Sequence, residues 1–197
     1  MNYPEYVEVN GKKYKINTDF RVAIECNEIA KDGSMEDIDR VFAIIYKLYG
    51  KEGLEDLDNH EELMDYAKKF LTCGKGLQEV NEKPDMDYIE DMDYIEASFM
   101  SDYQIDLSSI KMHWWKFNKL ISGLSNSEMG NCCVLNRIRN LRNYDLREIK
   151  DTKEREKIKK AKEMVALKSD KVSKKQPNQE QLQNAKEFLN ALGYGGN

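Results

Sequence analysis

Residues 94–123, YIEASFMSDYQIDLSSIKMHWWKFNKLISG, hold both tryptophans, one of the two histidines and a dense alternation of acidic, aromatic and apolar side chains. Within them Ile110, Trp114, Phe117, Ile121 and Leu124 recur at spacings of 4, 3, 4 and 3, the period of a helix that buries one face. This predicts two helices joined at Ile105-Asp106-Leu107. The second is capped by Asp106, is ended by Gly123, and places Ile110, Trp114, Phe117 and Ile121 in the core. Adjacent helical residues point about 100° apart, so Trp114 and Trp115 cannot both sit centrally in that stripe. Trp115, with Met112 and Lys119, is left for a second face, packed on another element or on a partner. His113, Trp115, Lys116 and Lys119 are therefore expected near a partner surface, where large aromatics are favoured.

The rest of the chain reads as helical after a short β-hairpin. Residues 6–9 and 13–16 alternate around Asn10-Gly11, a pair that supplies the positive φ angles of a tight hairpin turn. Thr18 or Asp19 then caps a helix that runs to about Ala30. Ser34, with Asp37 three residues on, resembles a capping box opening a second helix. That helix carries Ile38, Val41, Phe42, Ile45 and Leu48, and Gly50 stops it. A third spans about 59–72, with Leu63, Tyr66, Ala67, Phe70 and Leu71 on one face. A loop follows Gly74, and the repeated hexapeptide DMDYIE occupies residues 85–96. Ser125 or Ser127 begins a further helix bearing Met129, Cys132, Leu135 and Ile138. From Asp145 the chain predicts an extended, solvated helix, then a linker at 173–179 and a short amphipathic helix. The fold class is mainly α with an N-terminal hairpin. The expected division is 1–144, a charged extension at 145–172, and 173–197.

Charge is distributed unevenly. Residues 1–136 carry 15 basic and 27 acidic groups, and residues 137–175 carry 15 basic and 7 acidic. A chain so polarised can pair head to tail with copies of itself, or offer its basic arm to an acidic partner or nucleic acid. Glutamates 148, 154, 156 and 163 interleave the basic run, a pattern suited to i,i+4 pairing on a solvated helix, so nucleic acid is the weaker reading. Four cysteines without a C-x-x-C spacing, and an N-terminus without a signal-peptide pattern, are expected of reduced thiols in a cytosol. No run reaches the ~18 apolar residues of a membrane span.

No catalytic constellation stands out, and the expectation is a protein that is not an enzyme. A hydrolytic triad needs a base within reach of a nucleophile. His60 reads as an exposed first-turn residue, and neither histidine belongs to an H-E-x-x-H, so no metal or cofactor is expected. The acids of the repeat lack the glycine that a calcium loop requires at its sixth position. They suit the start of a helix instead. Gly74-Lys75-Gly76 is too short for a phosphate-binding loop.

The runs Ile95-Glu96-Ala97-Ser98-Phe99-Met100, Tyr103-Gln104-Ile105-Asp106-Leu107 and His113-Trp114-Trp115-Lys116-Phe117, with Leu120 and Ser122-Gly123-Leu124, resemble a family of siphophage and prophage proteins. These come from phages of Gram-positive bacteria, and their gene usually lies between those for the major tail protein and the tape-measure protein. The resemblance runs from the hairpin to about residue 170 and does not extend to the DMDYIE duplication or the last helix. It implies a non-enzymatic tail assembly chaperone. Such a protein binds the tape-measure protein in the host cytoplasm, keeps it soluble until major tail protein polymerises, and is absent from the finished virion. Contact with major tail protein and homo-oligomer formation are further implied partners. Two alternatives stand beside it: a structural phage component, such as a connector or tail terminator, and a nucleic-acid-binding regulator.

Overall fold

The computed structural model describes residues 3–75, 84–126 and 132–168. The expectations for Met129, for the loop beyond Lys75 and for 173–197 lie outside the described residues.

The chain opens with a hairpin of β1 (Tyr6–Val9) and β2 (Lys12–Lys15). Asn10 and Gly11 take φ of 49° and 78°, the pair of positive angles that matches the twist of the two strands. Register pairs Val7 with Tyr14 and Val9 with Lys12. Val7, Val9 and Tyr14 are buried while their neighbours face solvent, the alternation of a half-buried sheet. Exposed Lys12, Lys13 and Lys15 lie along β2, where their charges oppose pairing with another strand.

Helix α1 (Phe20–Lys31) begins as expected: the Asp19 carboxylate accepts from the Arg21 N–H at 3.0 Å. Helix α2 (Asp37–Glu55) begins differently. Ser34 does not cap it; its N–H and hydroxyl both donate to Asp32, closing a local turn, and the helix starts two residues beyond Met35 with no side-chain cap. Ile38, expected on the apolar face, is 51% exposed. Gly50, expected to end the helix, kinks it at φ 69° and ψ −160°. A 3-10 turn (Leu57–Asn59) leads into α3 (His60–Leu71), which buries Leu63, Ala67 and Phe70. Tyr66, predicted on that face, is 41% exposed.

Helix α4 (Met92–Tyr103) starts inside the second DMDYIE copy, and Gln104 ends it in the left-handed region. The next helix departs from expectation. Asp106 closes a turn by accepting from the Ser108 N–H and hydroxyl, and the chain stays non-helical to His113. Helix α5 runs Trp114–Ser122. Backbone bonds from Phe20 N to Met112 O (2.9 Å) and from Trp114 N to Thr18 O (2.8 Å) hold this segment against the start of α1, and Arg21 donates to the carbonyls of Leu107 and Ile110. Ile110 therefore precedes the helix it was assigned to and is 37% exposed, not core. Trp114, Phe117 and Ile121 are buried. Phe117 is the hub, stacked 4.3 Å from Phe20, 5.4 Å from Phe99 and 5.9 Å from Trp114.

Helix α6 (Val134–Asn143) starts later than Ser125 or Ser127, because Asn126 and Cys132 form an isolated bridge before it. Buried polar groups here are satisfied except Arg139 Nε, which has no hydrogen-bond partner among the described residues. The Ser98 hydroxyl accepts from Leu135 N and donates to Tyr94 O, and the Asn136 amide donates to the carbonyls of Leu124 and Ser125. All four cysteines are free thiols.

Two compact units result, Met1–Asn140 and Leu141–Asn197. The apolar core of the first extends from Val7 to Leu135. The described part of the second holds a 3-10 turn (Leu146–Glu148) and α7 (Thr152–Met164), capped by Asp151 accepting from Glu154 N at 2.7 Å. The single helix expected from Asp145 is thus broken at 149–151. Ile149 and Leu167 are buried there, whereas α7 has no buried residue.

Candidate functional site

The tryptophan pair has its clearest physical role at the end of α3. A helix leaves its last carbonyls without intrahelical partners. Trp115 Nε1 donates to Phe70 O at 2.8 Å and Trp114 Nε1 to Leu71 O at 2.9 Å. Two successive indoles thus satisfy two successive carbonyls. The divergence of adjacent side chains, which bars both from one stripe, lets them straddle the end of another helix. The chain leaves that end through Cys73 (φ 54°) and Gly74 (φ 75°), both left-handed. A β-carbon at Gly74 would lie 3.3 Å from Trp115 Cη2, so the glycine also lets the backbone close over the indole.

His113 is the N-cap of α5. Its Nδ1 accepts from the Trp115 N–H at 3.0 Å, which leaves Nε2 to carry the proton and donate to Pro4 O at 3.0 Å. The ring stacks on Tyr3 at 4.8 Å and meets Phe70 edge-on at 5.7 Å. With both ring nitrogens committed to backbone groups, His113 serves as a cap and cross-brace. Lys119 is exposed and sets its Nζ 5.0 Å from the Tyr3 ring centre. Lys116 is exposed. Of the four residues expected at a partner surface, His113 and Trp115 thus meet around Phe70, Lys119 joins through Tyr3, and Lys116 stands on the solvent side of α5.

A groove of about 570 Å³ opens beside Trp115, with Leu71, Cys73, Tyr88 and Trp114 along its walls and Lys75 and Lys119 beside them. Burial pushes the Tyr88 hydroxyl up to about 12, and its O–H donates to Asn118 Oδ1 at 2.9 Å. Burial also raises the Cys73 thiol, against the opposing pull of Lys75 and Lys119. Both groups are neutral at physiological pH, so among the described lining residues the formal charges are those of the two lysines, and polar Asn27, Thr72, Asn118 and Ser122 stand among the apolar and aromatic walls. Such a surface suits an apolar side chain flanked by acids. A protonated thiol is a poor nucleophile. A larger cleft, about 1000 Å³, lies between β2, α1 and the end of α2, and carries mixed charges from Lys15, Asp19, Glu25, Lys47 and Lys111.

Sequence reasoning missed Tyr3, Phe70, Leu71 and Gly74 as neighbours of the tryptophans. Gly74, just beyond the last periodic residue of α3, carried the one available signal, that of a helix C-terminus. Among the described residues no group of three or more His, Cys, Asp and Glu is placed to hold a metal ion. In the repeat, Asp85 instead pairs with Arg139 at 3.1 Å, and buried Asp91 accepts from Asp87 N at 3.0 Å.

No curated protein and no protein of solved structure matches the chain. A family described as Bacteriophage Gp15 protein matches residues 2–167, which takes in the hairpin, the tryptophan clamp and the whole of α7. The chain belongs to this bacteriophage protein family.

Proposed function

We propose that this protein is a non-enzymatic tail assembly chaperone that binds the tape-measure protein in the host cytoplasm and leaves before the virion is complete. The observation that carries the reading is membership of a bacteriophage family over residues 2–167, which supports a structural or morphogenetic role. The groove beside Trp115 supplies compatible chemistry. A tape-measure protein is a long amphipathic helix that would aggregate when unpartnered, and apolar walls with a cationic rim suit its apolar face and acidic flanks. A binding role asks for no acid–base pair. Among the described residues no helix is long and apolar enough to cross a membrane.

The test is co-expression with the tape-measure protein encoded downstream, read by solubility and co-purification. Trp115 is a poor probe because it caps α3. The double change Lys116→Glu, Lys119→Glu alters exposed positions and is expected to weaken capture by about tenfold, with circular dichroism unchanged. A tape-measure protein that stays insoluble, together with this chain found in purified virions, would replace the chaperone by a connector or terminator.

A further inference from the structure

Helix α7 contacts the turn before it through Arg155 and Lys162 and leaves its opposite face exposed. It carries six basic and three acidic residues and buries none of them. Lys153, Lys157, Lys160 and Met164 follow at spacings of 4, 3 and 4, which aligns them on one face, and all four are exposed. Met164 is 81% exposed, the largest value for a large apolar residue among the described residues. A methionine at the end of a lysine stripe is a contact surface of defined chemistry: cationic, with an apolar terminus.

The first unit presents the complement. Residues 52–66 contain seven acidic side chains and no lysine or arginine. They cover the end of α2, the 3-10 turn and the first turns of α3. Asp58, Glu62 and Asp65 repeat the spacing of 4 and 3 along an exposed face. At its edge stands Leu57, 69% exposed, second only to Met164. Among the described residues the two most exposed large apolar side chains thus lie among charges of opposite sign, one on each unit. Lys12 pairs with Asp56 and Glu52 at one end of this face, and the other local pairs, Lys51 with Glu55 and Lys68 with Asp65, sit on exposed side chains and are weak in water.

We propose that α7 of one copy docks on the 52–66 face of a second copy, with the Lys153–Lys157–Lys160 stripe against Asp58, Glu62 and Asp65 and Met164 against Leu57. The contact is heterologous, since the two surfaces differ. Each copy therefore offers one donor arm and one acceptor face, and copies add head to tail. The occupant is a protein surface and not nucleic acid because the stripe ends in an apolar residue matched by another, and three glutamates share the helix. The proposal is independent of the chaperone reading, for it concerns only how copies of the chain meet.

Sedimentation velocity of the full chain tests it. Concentration-dependent association is expected at about 0.05 M salt, weakened by about tenfold or more at about 0.5 M, as screening of exposed charge requires. The variant Lys157→Glu, Lys160→Glu should sediment as a monomer, and so should Glu62→Lys, Asp65→Lys. A mixture of the two variants should associate again, because each reversed arm then meets a reversed face. That rescue separates a lost contact from a lost fold. A wild-type chain that stays monomeric at low salt overturns the proposal. So does association that survives either reversal, or a mixture that stays monomeric.

Discussion

At the scale of the residue, Trp115 is held by a donor and a glycine. Its Nε1–H meets Phe70 O, and its ring edge lies 3.3 Å from where a β-carbon on Gly74 would be. Trp115→Phe keeps an aromatic body but removes the donor, and should lower unfolding free energy by about 1 kcal/mol. Trp115→Ala removes the packing as well and should cost about 3 kcal/mol. Gly74→Ala forces a left-handed alanine against the indole, at about 1–2 kcal/mol from the backbone alone. Part of its cost is contact with the ring, so the change should cost less in the Trp115→Phe background. Urea titrations of the four members of that cycle measure the coupling. Strictly additive costs would mean that the glycine is required by the turn only. The tryptophan pair was legible as the most informative feature of the chain. Its partners were not, because Phe70 and Leu71 lie 45 and 43 residues earlier, and nothing local records which helix end an indole will cover.

At the scale of the element, the hairpin is tied to the helices by a polar network around one carboxylate. Asp56, between α2 and the 3-10 turn, accepts from the Tyr14 hydroxyl at 2.6 Å and from Lys12 Nζ at 2.9 Å. The Asn59 amide donates to the Tyr14 oxygen at 3.0 Å, and the Asn10 amide donates to Asn59 at 2.8 Å. The Tyr14 hydrogen bond, then that of Lys12, holds the Asp56 carboxyl down at about 2, from an ordinary 3.8. A depressed carboxylate contributes its stability fully above its unfolded value and loses it as pH falls through the folded one. Wild-type stability should therefore fall between about pH 4 and about pH 2 more steeply than that of Asp56→Asn, and the two curves should converge at the acid end. Chemical denaturation across that range reads the difference; parallel curves would mean that the network does not couple hairpin to helix. The hairpin itself was legible because an Asn-Gly turn is decided by two adjacent residues. The start of α5 was not. Apolar spacing runs unbroken back to Ile110, but hydrogen bonds to Thr18, Phe20 and Arg21, some 90 residues earlier in the chain, keep that segment extended. Local period and tertiary pairing competed there, and pairing prevailed. The same kind of competition moved the start of α2, where the Asp32 turn took the serine that would have capped it.

At the scale of the whole molecule, the chain has a first unit with an extensive core and a second whose described residues include few that are buried. The core cluster ends at Leu135, and beyond Asn143 only Ile149 and Leu167 are buried among the described residues. The charge change near residue 137 made this polarity legible, whereas the packing that fixes the boundary at Asn140 depends on contacts a sequence does not show. A chain ended after Asn143 keeps all of α6 and every residue of that cluster. It should unfold cooperatively in urea, with a stability within about 1 kcal/mol of the full chain. Tryptophan fluorescence follows the same event in both proteins, since Trp114 and Trp115 both lie in the first unit. A midpoint that falls well beyond that margin would show that the second unit contributes to the stability of the first. The shortened chain also retains 18 basic and 27 acidic residues while losing α7. It keeps the acceptor face without the donor arm, so it should remain monomeric at low salt on its own. Added to the full chain, it should occupy free donor arms and shorten the assemblies as its fraction rises. Ending growth in this way requires a fold that survives truncation and a contact that is directional, and sedimentation of the mixture reads both together.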